Sequence, residues 1–185
     1  MGSIQASAKA GFKYNVEHLR RAELAPECID TKTIDGVEYV VLSTEEVENL
    51  IPTEGLNYML GTALTGVSQS STWYIALYEG NYDPVAGVTA ATFPANATEC
   101  TAYTEAARVT WTPGSISAGS VSNTSSKAVF TINATKAVYG IAQTSVATKS
   151  ATTGVLMSVA KFTAVKNVVA TDVLNVTSTI TATST

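Results

Sequence analysis

The hydrophobic pattern of the chain changes period near Gly61. Before it, Leu56, Met59 and Leu60 recur three and four residues apart, Thr53 stands at an N-cap position, and Gly61 ends the series, which predicts a short helix. After it, Trp73, Ile75 and Leu77 alternate with Tyr74, Ala76 and Tyr78. That is the period of a strand, filled with the aromatic and branched side chains that a pleated surface accepts. We read this run as the central strand, with Trp73, Ile75 and Leu77 pointing inward and, with Trp111, forming the core anchors.

Upstream, Phe12, Tyr14 and Val16 alternate with Lys13, Asn15 and Glu17, a short strand or an extended arm after a loose terminus from Met1 to Gly11. Thr31–Ile34 and Val37–Leu42 flank Asp35-Gly36, a two-residue hairpin signal. Ser43 and Glu46 form a capping-box pattern, and Val47, Leu50 and Ile51 supply one helical face before Pro52, so a helix is expected from about Thr44 to Leu50. Downstream, a Gly- and Pro-containing loop runs from Glu79 to Pro94. Strands are expected around Arg108–Thr112, Ala128–Asn133, Ala137–Gln143, Val155–Phe162 and Asp172–Thr181. Short strands at that spacing, with no helical pattern between them, predict an all-β fold, an antiparallel jelly-roll or β-sandwich. It carries an N-terminal arm, a hairpin and one or two short helices. The division we expect is residues 1–48 as arm, hairpin and helix start, and residues 49–185 as the β domain.

Charge sharpens this picture. The chain of 185 residues is 45% apolar and only 14% charged, with Thr, Ser, Ala and Val where Lys and Glu usually stand. Hydroxyl-bearing outer faces are soluble, yet a partner can cover them with little charge to desolvate. A net charge of −4 and singly spaced lysines disfavour nucleic acid as a partner. No stretch approaches the roughly 18 apolar residues of a membrane span, and no secretion signal is recognised. Gly2 resembles a myristoylation start but lacks the required Ser or Thr at Ala6. Cys28 and Cys100 have neither metal-ligand nor disulfide-framework spacing and are expected as free thiols in a reducing cytoplasm.

The residues offer little catalytic chemistry. The sole histidine, His18, lies in the expected arm beside Arg20 and Arg21 with no nucleophile motif near it, and we read it as solvated. Glu45, Glu46 and Glu48 suit a helix N-terminus. Glu99 with Arg108 can form a buried ion pair. No phosphate-loop, dinucleotide or zinc-protease motif is present, so neither a metal nor a cofactor is expected. The aromatic set Tyr74, Tyr78 and Tyr82 could serve as a sugar-stacking platform.

Several runs carry a resemblance. Asn49–Leu60 (NLIPTEGLNYML), Thr72–Pro84 (TWYIALYEGNYDP), Glu99–Gly114 (ECTAY followed by EAARVTWTPG), Val138–Gly140, Thr152–Leu156 and Asp172–Val176 resemble a family of tailed-bacteriophage virion proteins similar to capsid cementing, or decoration, proteins. The resemblance spans roughly Asn49 to Thr181. It departs from the family pattern where Ala76 and Thr171 replace glycines, and Thr171 puts in doubt the tight turn before the last strand. It implies a jelly-roll, non-enzymatic homo-oligomer that is made in the bacterial cytoplasm and docks on the major capsid protein outside a phage head. A tail or neck component is the alternative address, and a carbohydrate-binding module the alternative class. The arm, Gly11 to Asp30, is expected to order against a partner subunit, with Phe12, Tyr14 and Val16 as its docking residues.

Overall fold

The computed structural model describes residues 8–27 and 30–184; Met1 to Ser7, Gly2 among them, and Cys28 lie outside the described residues. In chain order the strands are β1 (Ala8–Arg21), β2 (Thr31–Ile34), β3 (Val37–Glu48), β4 (Trp73–Tyr78), β5 (Glu99–Cys100) and β6 (Val109–Trp111). They continue with β7 (Ser120–Ser122), β8 (Ala128–Thr131), β9 (Lys136–Thr144), β10 (Leu156–Val168) and β11 (Val173–Ser184). Helix α1 (Thr53–Leu60) runs directly into a π-helical turn, Gly61–Thr65.

The strands build two antiparallel sheets packed as a sandwich, which is the fold class the strand spacing predicts. In the first sheet the order is β2-β3-β1-β11, and β7 and β8 share the far edge of β11. In the second it is β10-β9-β4, with β5 and β6 sharing the far edge of β4. Both open sides are stitched. Leu50 exchanges two backbone hydrogen bonds with Val159, at 2.9 and 3.0 Å. On the other side the Thr104 N–H donates to the Thr131 carbonyl and the Asn133 N–H to the Ala102 carbonyl, around the Tyr103–Ile132 bridge. Few strand edges are therefore left to pair with another chain.

The N-terminal segment is no arm. β1 lies inside the first sheet, paired with β3 on one side and with β11 on the other, from Ala8 opposite Ser184 to Leu19 opposite Val173. Phe12, Tyr14 and Val16 are at most 2% exposed and face the inter-sheet core, opposite Ile180, Ser178 and Val176. Their alternation is the pattern of an amphipathic strand, and the apolar face is spent within the chain. β1, β2 and β3 thus supply three of the six strands of the first sheet instead of an appendage to a separate domain.

Thr44 to Glu48 belong to β3, so the helix expected there does not form. The capping-box residues are used differently. Glu45 faces inward opposite Val16 and meets Lys166 of β10, while Glu46 faces out and pairs with Lys13 at 2.8 Å. Nine residue pairs of ladder with β1 outweigh a local cap worth about 1 kcal/mol. Helix α1 forms as predicted, with Pro52 instead of Thr53 at the N-cap and Gly61 continuing the helix into the π turn. The Asp35-Gly36 hairpin forms with both residues at positive φ, 49° and 78°, which is the I′ geometry those residue types favour.

In β4, Ile75 and Leu77 are fully buried between the sheets, Trp111 is 6% exposed beside them, and Trp73 is half-buried at the rim of the same cluster. The opposite face is covered too. Ala76 and Tyr78 sit under a third layer made of residues 79–98, with Val88, Ala90, Phe93 and Ala97 closing over them, and α1 packs beside it on β10. Glu54 fastens that layer, its carboxylate accepting from the N–H groups of Ala90 and Leu156. The Tyr78 ring lies across Gly140, where a Cβ would overlap the ring and the Ala160 carbonyl; the hydroxyl donates to that carbonyl at 3.0 Å. Thr171 adopts a left-handed turn before the last strand despite its branched side chain, at φ 76°, held by its N–H on the Ile132 carbonyl.

Two outcomes follow from this packing. Deleting residues 1–24 removes β1 and is expected to abolish the cooperative thermal transition seen by circular dichroism, because each of the three inward side chains contributes about 1.5–3 kcal/mol. A truncated chain that still melts cooperatively would place β1 outside the core. Gly140→Ala should lower stability by about 1–3 kcal/mol through displacement of the Tyr78 ring, read as a shift of the urea midpoint.

Candidate functional site

The ionisable groups that could do chemistry are engaged within the chain. His18 is buried, 4% exposed, and not solvated as its charged neighbourhood suggests. The alternation of β1 turns it inward, and a bulge after it carries Arg20 to the same carboxylate. Asp172 Oδ2 accepts from His18 Nε2 at 2.8 Å and Arg20 Nη2 at 2.8 Å, Oδ1 accepts from Arg20 Nε at 2.9 Å, and the Val169 N–H donates to the same group. Burial alone would push this carboxyl up; the bonds from Arg20, His18 and Val169 outweigh it and hold Asp172 below the ordinary carboxylate range.

Glu99 and Arg108 form the buried pair that the sequence allowed. The guanidinium grips both carboxylate oxygens, at 2.9 and 2.6 Å, and gives its other N–H groups to Thr144 Oγ1 and the carbonyls of Val146 and Ala151. All five donors have acceptors, which is the condition for burying a guanidinium without a large penalty. The pair closes the 101–108 connection between β5 and β6 and anchors the β9–β10 loop through Val146, Ser150 and Ala151. Cys100 is buried and burial pushes its thiol up, so it is no thiolate. Among the described residues no group of three or more His, Cys, Asp and Glu side chains is placed to hold a metal ion.

Asn123 fills a comparable structural gap on the first sheet. β7 and β8 both pair with β11 but leave it between Thr179 and Val176. The fully buried Asn123 side chain bridges the gap: Oδ1 accepts from the Ser178 N–H at 2.7 Å and Nδ2 donates to the Val176 carbonyl at 3.1 Å. No periodicity in the sequence marks such a residue, since its role is to imitate backbone.

What the chain presents outward is different in kind. From Gly55 to Tyr78 there is no charged residue. Leu56, Leu60 and Leu64 recur at i, i+4 and i+8 along α1 and its π turn, exposed by 44, 58 and 75%, and Val67 follows at 47%. The helix is seated by its small residues. Gly55 packs against the Met157 carbonyl and Gly61 against Val67, so the leucine face turns to solvent. Three leucines in line form a contiguous apolar stripe, a feature that marks an interaction surface more often than scattered exposed residues do. Where the uncharged segment ends, Tyr58 meets Trp73 edge-to-face at 5.4 Å. Beyond that contact a cleft of about 290 Å³ opens between Trp73, Trp111, Gln69, Ser71 and Ile116.

Of the residues the sequence nominated, Phe12, Tyr14 and Val16 are interior and cannot dock a partner. Tyr74, Tyr78 and Tyr82 form no platform, because Tyr78 is fully buried and Tyr82 packs edge-to-face on it. The spacing of the leucine stripe is equally that of a buried helix face, so periodicity alone does not mark it as a surface. Searches against protein-family models and curated proteins match nothing.

Asp172 makes the fold acid-sensitive in a defined sense. Its folded pKa lies below the unfolded value of about 3.9, so its contribution is complete above that value and is lost as the pH falls through the folded pKa. Urea midpoints should fall from pH 5 toward pH 2, and Asp172→Asn should be destabilised at pH 7 with a flatter acid limb. An unchanged acid limb would assign the acid sensitivity to Glu17 and Glu45, whose carboxyls are also held low against burial by Lys127 and Lys32 and by Lys166.

Proposed function

We propose that this chain is a structural virion protein that docks on the outside of a tailed-phage head and stabilises it, without catalytic activity of its own. The carrying observation is the uncharged stripe of Leu56, Leu60 and Leu64 on a sandwich whose Asp172, Glu99, His18 and Arg108 side chains are turned inward to fasten strands and loops. Burial of an exposed leucine against a partner contributes about 1.5–3 kcal/mol, and an uncharged face loses little on desolvation. The sequence runs that resemble decoration proteins, Asn49–Leu60 and Thr72–Pro84, flank this surface, α1 itself lying in the first. With β1 committed to the core, the stripe replaces the arm as the docking element, and the major capsid protein is its partner. Many weak copies on a symmetric shell bind tightly through multivalency.

Leu60→Asp and Leu64→Asp test this. Both positions are exposed, so the thermal midpoint should stay within the small range of surface substitutions, about 0.5 kcal/mol. Retention on purified heads in a sedimentation assay should weaken at least about tenfold. Immunogold label on tails would move the protein to the tail or neck, and no label on virions would overturn the reading.

A further inference from the structure

The cleft beside Trp73 opens at the rim of the core, apart from the leucine stripe. We propose that it is a binding site for a neutral oligosaccharide. Trp73 and Trp111 are direct cross-strand partners at the end of β4 and β6, and they form its floor. Trp111 is fixed by its indole N–H on the Ser178 carbonyl, and Trp73 by the Tyr58 ring, so the aromatic wall is held in place before any ligand arrives. Ile116, 78% exposed and the most exposed large apolar side chain among the described residues, overhangs the opposite side.

The polar groups around this wall are unspent. Gln69 and Ser71 line the cleft with no hydrogen bond to another described residue, whereas the neighbouring Ser70 hydroxyl is already committed to the Thr72 carbonyl. A second depression of about 410 Å³ shares Gly114 and Val121 with the cleft and is lined by hydroxyls, among them Ser115 and Ser117. No Asp, Glu, Lys or Arg lines either depression.

This chemistry selects its ligand. A charged ligand would meet no counter-charge, and a wholly apolar one would strand the hydroxyls and the Gln69 amide without water. A pyranose offers an apolar C–H face for the indole and equatorial hydroxyls for Gln69 and Ser71. A volume of about 290 Å³ lies at the small end of ligand pockets, room for one sugar unit, and the adjoining hydroxyl-lined depression takes the next. A proline-rich peptide would match the aromatic half but set its second ring against serine hydroxyls.

The test is an array of neutral, sialylated and sulfated glycans, followed by titration of the strongest neutral ligand against tryptophan emission. A neutral oligosaccharide should bind and perturb the emission. Gln69→Ala and Ile116→Ala, both at exposed positions, should each weaken it about five- to tenfold while the thermal midpoint stays put. Leu60→Asp should leave this titration unchanged, which separates its failure from failure of the head-docking assay. Absence of any neutral binder, a preference for acidic glycans, insensitivity to both cleft variants, or tighter binding of a proline-rich peptide overturns the proposal.

Discussion

The pairing of β1 with β11 holds the rest of the structure in place. It joins residues from opposite ends of the chain, Ala8 with Ser184 through Leu19 with Val173, and it occupies the middle of the first sheet. β3 and β2 have no other strand to build on, and the inward row of Phe12, Tyr14, Val16 and His18 completes one wall of the core. The Asp172 carboxylate locks the same junction from below, since His18 and Arg20 reach it from β1. Contacts of such sequence separation form only after a large loop has closed, so the fold is a slow one by topology.

The second sheet is organised around a different constraint, the double coverage of β4. One face supplies Ile75 and Leu77 to the core and the other supplies Tyr78 to the outer layer. Helix α1 is seated beside that outer layer, on β10, by Gly55 against the Met157 carbonyl, and its leucines face outward. The leucine stripe and the Trp73 side of the neighbouring cleft therefore lie along one uncharged segment, while the buried charge pairs work elsewhere as fasteners.

Local patterns in the sequence were legible where the physics is local. Asp35-Gly36 specifies its own turn, and the alternation through Trp73–Tyr78 assigns the strand and its two faces correctly. Patterns that depend on a partner strand were not. Ser43 with Glu46 reads as a helix cap until β1 is placed beside it, and Phe12, Tyr14 and Val16 read as an arm until β11 is. The sequence also gives no hint that His18 and Asp172 meet, because 154 positions separate them. Asn123 and Arg108 escape any periodic reading, since each completes a ladder or a loop through side-chain hydrogen bonds alone. Thr171 marks a place where local preference was a fair warning yet tertiary contacts prevailed, with positive φ kept by a β-branched residue.

The antiparallel register that sets Ala8 opposite Ser184 has a topological consequence for how the chain can be rewired. Strand ends so placed lie within one interstrand spacing of each other. A linker of a few residues could join them, and new ends could be opened in the exposed loop from Thr112 to Gly119, which carries no strand. Such a circular permutant would keep every ladder of both sheets while turning the longest-range pairing in the molecule into a hairpin. Native β1 and β11 would then be sequence neighbours, and the pairing that now demands the largest loop closure would demand almost none.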